Sequence, residues 1–221
     1  MKRIIIALLF LSGTITNSFA EVGAKIGITA ALGYFETSAK EKEDSETSVS
    51  RDAEGLGAFG AIFLEKELTD VVSVGVEYTP TAFETEESTH LQTDQKGKSS
   101  GAAATQTQKA QVDFTDLMTI YAMARPGNID GLYLKAGYVQ VDVETNETLG
   151  TGSTYPNSDM DGFTVGVGID RDLPNGAFVR AEGSYMQLGG ITVTSTNNTA
   201  NSVTTDDVDG YLVKMTAGKG F

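Results

Sequence analysis

The stretch "DGYLVKMTAGKGF", residues 209–221, alternates between two kinds of residue. One set is apolar apart from a lysine and is aromatic at both ends: Phe221, Lys219, Ala217, Met215, Val213 and Tyr211. The other set is mostly small or polar: Gly220, Gly218, Thr216, Lys214 and Leu212. A period of two residues is that of a β-strand whose faces meet different surroundings. The stretch therefore predicts a sheet, and the rest of the chain must indicate which face meets water.

The first twenty residues have the pattern of an export signal. Lys2 and Arg3 precede an apolar run at 4–11, and Ser18-Phe19-Ala20 is a small-x-small cleavage pattern. A spanning helix needs about 20 apolar residues, which this run does not reach. We predict a secretory signal peptide at 1–20, removed before Glu21, and a single domain at 21–221.

Composition excludes several classes of protein. A formal net charge of −14 argues against nucleic acid as a partner, because phosphates would not be neutralised. The chain has no cysteine, which excludes a small disulfide scaffold. No later apolar run is long enough to span a membrane either. If the protein lies in a membrane, it must therefore be a closed β-barrel.

Eight segments alternate with a period of two, at about 22–34, 54–66, 72–79, 110–124, 132–143, 163–170, 179–185 and 211–221. The fifth segment changes phase: its apolar residues are first Leu132, Leu134, Ala136 and Tyr138, and then Val139, Val141 and Val143. This change predicts either a β-bulge or the emergence of the strand from the membrane.

The connections between these segments alternate in length. Three contain short turn sequences, "EKELTD", "RPGNIDG" and "DLPNG", and the last two have Pro, Asn, Asp and Gly in turn-forming order. The other four, at about 37–53, 84–109, 145–160 and 189–207, are long and polar, and we expect the second to be mobile. Short turns at one end and long loops at the other are typical of outer-membrane barrels.

The polar face is rich in small residues, which suits the narrow interior of an eight-stranded barrel better than a wet surface. Its few charged residues are of both signs and predict a charge network in the lumen, formed by Lys25, Glu77, Lys135, Arg180, Glu182 and Lys214. Buried charges must be paired. We expect Arg180 and Glu182 to pair with Glu77, Lys135 or Lys214.

Aromatic residues lie near the ends of the apolar stripes, where a membrane girdle belongs. On the loop side the predicted girdle is Tyr34, Tyr78, Tyr138, Tyr185 and Tyr211. Tyr121 and Phe221 would serve the opposite interface. With strands of the roughly 9–11 residues that span a bilayer, these features favour a membrane barrel over a soluble β protein.

The ending resembles the C-terminal signature of bacterial outer-membrane proteins, which the barrel-assembly machinery recognises. Phe221 would be its terminal aromatic residue, with Tyr211, Val213 and Met215 on the same face, while Lys219 departs from the usual apolar residue. Over 21–221 the chain is similar to the small eight-stranded OmpA/OmpX-type barrels. The resemblance implies a location in the bacterial outer membrane, contact with its lipid and lipopolysaccharide, and a plugged lumen. We expect no OmpA-type peptidoglycan-binding domain.

Candidate chemistry is sparse. The single histidine, His90, falls in the long second connection, where nothing would hold it as a catalytic base. Acidic stretches at 41–46, 159–162 and 206–209 could attract Mg²⁺ or Ca²⁺, but we expect them to serve solubility. We predict no catalytic residue, no cofactor, no metal site and no enzymatic activity.

The sequence thus predicts a monomeric, all-β, antiparallel up-and-down transmembrane barrel with three short periplasmic turns and four long extracellular loops. Its predicted role is structural or in surface interactions. Two alternatives stay open: a narrow porin-like channel or lateral conduit for small hydrophobic solutes, and a soluble exported β-barrel that binds a ligand.

Overall fold

The computed structural model describes residues 23–43, 47–84, 88–94, 104–149, 153–197 and 199–221. The predicted signal peptide lies outside these ranges. No helix of the described residues is long and apolar enough to cross a membrane. The strands are β1 (Ala24–Glu43), β2 (Thr47–Glu67), β3 (Val72–Glu84), β4 (Ser88–Asp94), β5 (Ala104–Ala124), β6 (Leu132–Leu149), β7 (Ser158–Asp172), β8 (Ala177–Leu188), β9 (Thr192–Thr194), β10 (Ser202–Thr205) and β11 (Val208–Gly220).

Eight of these strands form a closed antiparallel ring, in the order β1, β2, β3, β5, β6, β7, β8 and β11. β11 closes the ring by pairing with β1, from Lys25 opposite Gly220 to Glu36 opposite Asp209. The backbones of Ala24 and Phe221 exchange two hydrogen bonds, of 3.3 and 2.9 Å. The predicted fold, an eight-stranded all-β barrel, is confirmed.

Three short turns join strands at one end of the barrel, at 68–71, 125–131 and 173–176. Asn175 and Gly176 adopt φ values of 66° and 75°, in the left-handed region that Asn and Gly tolerate best. Gly131 has a φ of 76°, and a Cβ there would lie 2.2 Å from the Asp170 carbonyl oxygen. The turn residues in the sequence therefore match what the backbone requires.

The four long connections lie at the other end, as predicted, but much of their length is strand. β1 and β2 stay paired to Glu43 opposite Thr47, so most of 37–53 is a hairpin. β4 pairs with β5, and this pairing places His90 opposite Gln108 in a ladder, not in an irregular loop. Thr, Val and Ser favour extended backbone, and above the membrane both faces of a hairpin can be polar.

The third and fourth connections contact each other. The Thr154 N–H lies 3.4 Å from Ser195 Oγ, and the Thr196 N–H donates to the Thr154 carbonyl at 2.8 Å. The buried Asn201 side chain donates to Ser153 Oγ at 3.2 Å. These bonds hold the third and fourth connections against each other at the extracellular end of the barrel.

The apolar face of the barrel points outward. Ile28, Leu32 and Val213 are 64%, 65% and 64% exposed, although each lies in the middle of a paired strand. A soluble barrel would bury this face, whereas a membrane barrel presents it to lipid. The soluble ligand-binding alternative is therefore not supported.

β6 changes its apolar phase without a bulge. Its pairing with β7 runs without interruption from Leu132 to Val143, and its inward positions include both Lys135 and Val141. A bulge lies on the neighbouring β5, where Asp116 has a φ of 52° and the register with β6 shifts. The prediction of a bulge on β6 was wrong. The outward residues Gln140, Asp142 and Glu144 are polar instead, in agreement with emergence from the membrane.

Candidate functional site: a lumen in two layers

The periplasmic half of the lumen is filled with charged side chains, which we name the charged layer. All six residues of the predicted network have inward side chains, and each is buried or nearly so. Three more inward charges join them: Glu65, Arg125 and Asp170. Sequence reasoning missed Glu65 and Arg125 because "EKELTD" and "RPGNIDG" were assigned to turns, and it left Asp170 out of the network although it placed that residue on the polar face of its strand. Asp170 nevertheless shares the phase of the small inward residues Gly166 and Gly168, which is a usable signal.

The upper part of the charged layer contains two acids and two bases. Glu77 accepts hydrogen bonds from Lys214 at 2.7 Å and from Lys135 at 3.4 Å. Lys135 also lies 3.6 Å from Glu182. Every charge in this group therefore has a partner of opposite sign, which is what burial requires.

The lower part of the charged layer is centred on Arg180. Its two terminal nitrogens donate to both Glu65 oxygens at 2.7 and 3.0 Å, and its Nε donates to Asp170 at 3.1 Å. This forked geometry is the strongest that an arginine makes with a carboxylate. Arg180 thus pairs with Glu65 and Asp170, and not with Glu77 as the sequence suggested.

Two more bases complete the lower part. Arg125 lies 3.4 Å from Glu65 and 3.3 Å from Asp170. Lys25, nearest the periplasmic end, lies 3.1 Å from Glu67 and 3.8 Å from Asp170.

Two tyrosines join the upper and lower parts. Tyr121 donates to Glu65 at 3.1 Å, and Lys135 lies 4.3 Å above its ring. Tyr133 donates to Glu182 at 3.1 Å, and Arg180 lies 5.7 Å from its ring. Each ring therefore contacts one charge of each part.

Tyr121 was predicted for the periplasmic girdle, and that prediction was wrong, because the side chain is only 4% exposed and points into the lumen. β5 is apolar on both faces here, so alternation alone did not assign the face. The ring lies over Gly75 of β3, where a Cβ would come within 2.5 Å of the phenol. A glycine on the neighbouring strand thus makes the space that Tyr121 occupies.

The extracellular half of the lumen is filled with apolar side chains, which we name the apolar layer. Its buried members touch one another as a single cluster: Ala31, Phe35, Phe59, Ala82, Phe114, Leu117, Val139, Val141, Val143, Met160, Met186, Leu188, Val208 and Leu212. Along each strand these residues follow the charged layer toward the extracellular end, as Met186 follows Glu182 on β8.

In the described residues, the wall beside the apolar layer lacks backbone pairing between neighbouring strands at one place. β2 and β3 pair only from Glu67 opposite Ser73 to Ile62 opposite Tyr78, although β3 continues to Glu84. In the described part of the ring, every other pair of neighbouring strands remains paired almost to the extracellular end. In each case the pairing reaches the last residue of at least one of the two strands, or the residue before it. We name the unpaired stretch, residues 47–61 of β2 and 79–84 of β3, the β2–β3 seam.

Comparison with known proteins agrees with this architecture. No protein-family model matches the chain, and a search of curated proteins found no significant match. Among solved structures, the outer membrane protein OprG from Pseudomonas aeruginosa is similar, with a TM-score of 0.57, 13% identity, and coverage of 90% of this chain and 96% of OprG. The outer membrane protein AlkL, solved in lipid bilayers, matches with a TM-score of 0.51, 16% identity, and coverage of 88% of this chain and 90% of AlkL.

The protein has the fold of a small eight-stranded outer-membrane β-barrel. The predicted location in the bacterial outer membrane agrees with this fold and with the apolar outer face of the barrel. At these identities the likeness establishes the fold alone.

The outer-membrane barrel carries its remaining predicted girdle residues on the outside. Tyr138 and Tyr211 are about half exposed, and Tyr34 donates to Glu54 at 2.6 Å. Tyr78 donates to Asp116, and Tyr185 donates to Asp209. These carboxylates lie on the extracellular side of the tyrosines, where a phenol at the interface meets water.

The predicted assembly signature lies on the lipid face. Tyr211, Val213, Met215 and Phe221 are all exposed there, and the Lys219 ammonium lies 5.6 Å from the Phe221 ring. A lysine can reach the interface from such a position and place its charge over the aromatic face. Recognition by the assembly machinery stays a prediction.

Proposed function

We propose that this outer-membrane barrel is a lateral conduit for small apolar solutes. Solutes would enter the apolar layer from the extracellular end and leave through the β2–β3 seam into the outer leaflet. The observation that carries the proposal is the position of the seam, which opens the wall at the layer whose side chains are apolar. This is the lateral-conduit alternative that the sequence left open.

The charged layer supports a lateral rather than an axial exit. Its charges pair across the lumen, and the cavity between them has a volume of about 10 Å³. That is room for about one water molecule. A solute moving along the barrel axis would have to separate buried ion pairs, which is costly. We therefore propose that the charged layer closes the lumen toward the periplasm.

The chemistry of the seam also supports the proposal. The outward residues of β2 nearest its last pair with β3 are Leu56, Ala58 and Gly60, which are apolar or lack a side chain, whereas Glu54 and Asp52 lie farther toward the extracellular end. Through pairing with β1 the first three lie level with Tyr34, Leu32 and Ala30, on the lipid-facing wall. On the other side Pro80 has no N–H to donate, and a proline in a sheet belongs at a strand edge. An apolar solute that crosses between residues 56–60 of β2 and Pro80 of β3 would not meet a charge.

The test is uptake by Gram-negative cells that express the protein and have an intact lipopolysaccharide leaflet. Cysteines at Gly60→Cys and Pro80→Cys would face each other two residues beyond the last pair, Ile62 and Tyr78. The natural chain has no cysteine to interfere. The matched control is Ala30→Cys with Gly60→Cys, which joins β1 and β2 where they are already paired.

We expect wild-type cells to take up radiolabelled octane faster than cells without the protein. Oxidation should slow uptake through the seam variant, reduction should restore it, and the control should respond to neither. Equal uptake with and without the protein would refute the conduit and favour the structural or surface role. Ion conductance of the wild-type protein in planar bilayers would refute closure by the charged layer.

A further inference from the structure

Two hydroxyl groups lie unpartnered at the boundary between the two layers. In the described residues, buried side-chain oxygens without a hydrogen-bond partner occur at Thr79, Asp113 and Ser184. Thr79 and Ser184 occupy equivalent positions on two different strands. Thr79 is the next inward residue beyond Glu77 on β3, and Ser184 is the next inward residue beyond Glu182 on β8. Both therefore stand directly above a carboxylate of the charged layer.

The two hydroxyls lie on opposite walls. β3 and β8 are four strands apart in the ring of eight, so they face each other across the lumen. Thr79 is fully buried, in register with the apolar Leu117, and the inward residue beyond Ser184 is Met186. We name these two hydroxyls, one on each wall, the polar floor of the apolar layer.

A buried hydroxyl without a partner costs free energy, and native proteins rarely leave one so. Asp113 differs, because its other carboxylate oxygen accepts a bond from Asn146. The Thr79 and Ser184 oxygens point to a ligand group that supplies the missing hydrogen bonds. Such a group must be small, and it must enter from the apolar side.

The charge balance below the floor limits what that group can be. Glu77, Lys135, Lys214 and Glu182 are already paired with one another, so no charge is left to neutralise an ionised ligand. A hydroxyl on the ligand can both donate and accept, which suits two hydroxyl partners. Methionine adapts its shape readily, so Met186 and Met160 can make room for an alkyl chain.

We infer that the preferred substrate is a small linear amphiphile with a neutral oxygen head, such as a medium-chain alcohol. This inference rests on the proposed conduit and specifies its substrate class. The head would bind Thr79 and Ser184, and the chain would lie in the apolar layer. An alkane cannot form hydrogen bonds with Thr79 and Ser184. A carboxylate would bring a charge for which no partner of opposite sign is left.

The test compares uptake of 1-octanol, octane and octanoate by cells expressing wild type, Thr79→Val, Ser184→Ala or both changes together. The matched control is Thr29→Val, which alters a lumen hydroxyl that already bonds Thr216 at 2.9 Å. We expect wild type to prefer octanol over both other solutes. The double variant should lower the octanol-to-octane ratio on the order of thirtyfold, the loss of two net hydrogen bonds, with octane uptake unchanged.

A second measurement does not depend on transport. In lipid nanodiscs, the NMR signal of an isotope-labelled Thr79 methyl group should shift on titration with octanol and not with octane. An unchanged uptake ratio in the double variant, or no shift with octanol, overturns the inference. Seam-dependent octane uptake in the same cells would then leave the conduit standing, whereas no uptake of either solute by wild type overturns both.

Discussion

The charged layer and the apolar layer are built from the same strands but follow opposite rules. On β6, Leu134 points out to lipid and Lys135 points in, whereas farther along Val141 points in and Asp142 points out. The backbone alternation does not change between the two regions. What changes is the medium outside the wall, which is lipid around the charged layer and water around the extracellular part of the apolar layer. Apolar residues lie outside in the first case and inside in the second.

This difference gives the two layers different failure modes. The charged layer is held by ion pairs and hydrogen bonds. Removing one partner therefore leaves the other buried beside charges of its own sign. The apolar layer is held by packing, so shortening one side chain leaves a cavity. Three substitutions distinguish these failure modes: two in the charged layer and one in the apolar layer.

The largest effect is expected from Arg180→Met. Arg180 makes shorter contacts with both Glu65 and Asp170 than their other shared partner, Arg125, does, and the change removes these contacts while both carboxylates stay buried. Breaking a buried pair from one side costs about 3–5 kcal/mol, so the free energy of unfolding in urea should fall by that amount. The control is Arg171→Met, whose pair with Asp130 is exposed and should contribute little. Equal losses in both variants would mean that the charged layer does not stabilise the barrel through its pairs.

A packing defect in the apolar layer should cost nearly as much. Leu188 is 1% exposed, and Leu188→Ala should lower the free energy of unfolding by about 2–5 kcal/mol through lost burial and a cavity. Glu144→Ala, an outward change on β6, is the control and should be close to neutral. If the two variants unfold alike, the apolar layer is not a packed core.

The smallest effect is expected where the two parts of the charged layer are joined. Tyr121→Phe keeps the ring beneath Lys135 but removes the hydrogen bond to Glu65. A hydrogen bond to a charged group contributes about 1.5–3 kcal/mol, and urea unfolding should report a loss in that range. Tyr211→Phe, on the lipid face, is the matched control and should leave stability nearly unchanged. A larger loss of stability in Tyr211→Phe would mean that tyrosine hydroxyls stabilise the barrel mainly at the membrane interface and not in the lumen.

Much of the fold could be predicted because its signals are local. The two-residue alternation of 211–221 predicts a strand, and "DLPNG" predicts the turn in which Asn175 and Gly176 take left-handed backbone. The inward phase of Lys135, Arg180 and Lys214 follows from the same alternation. Each of these features depends only on residues that are close together in the sequence.

The partners inside the lumen could not be predicted in the same way. Arg180 and Glu65 are 115 positions apart, and only the register of a closed barrel brings them to one level. The inward position of Tyr121 depends on Gly75 of the neighbouring strand. Alternation could not assign Tyr121 to a face, because β5 is apolar on both of its faces.

Short segments of the chain are enough to specify alternating strands with unlike faces, three short turns and a membrane-facing stripe. These follow from the period of the strand and from turn chemistry. The closed barrel is needed to set which charges pair, where the lumen changes from charged to apolar, and where the pairing of β2 with β3 stops. These depend on the register and tilt of eight strands closed into a ring, because closure fixes which distant residues share a level and which medium surrounds them.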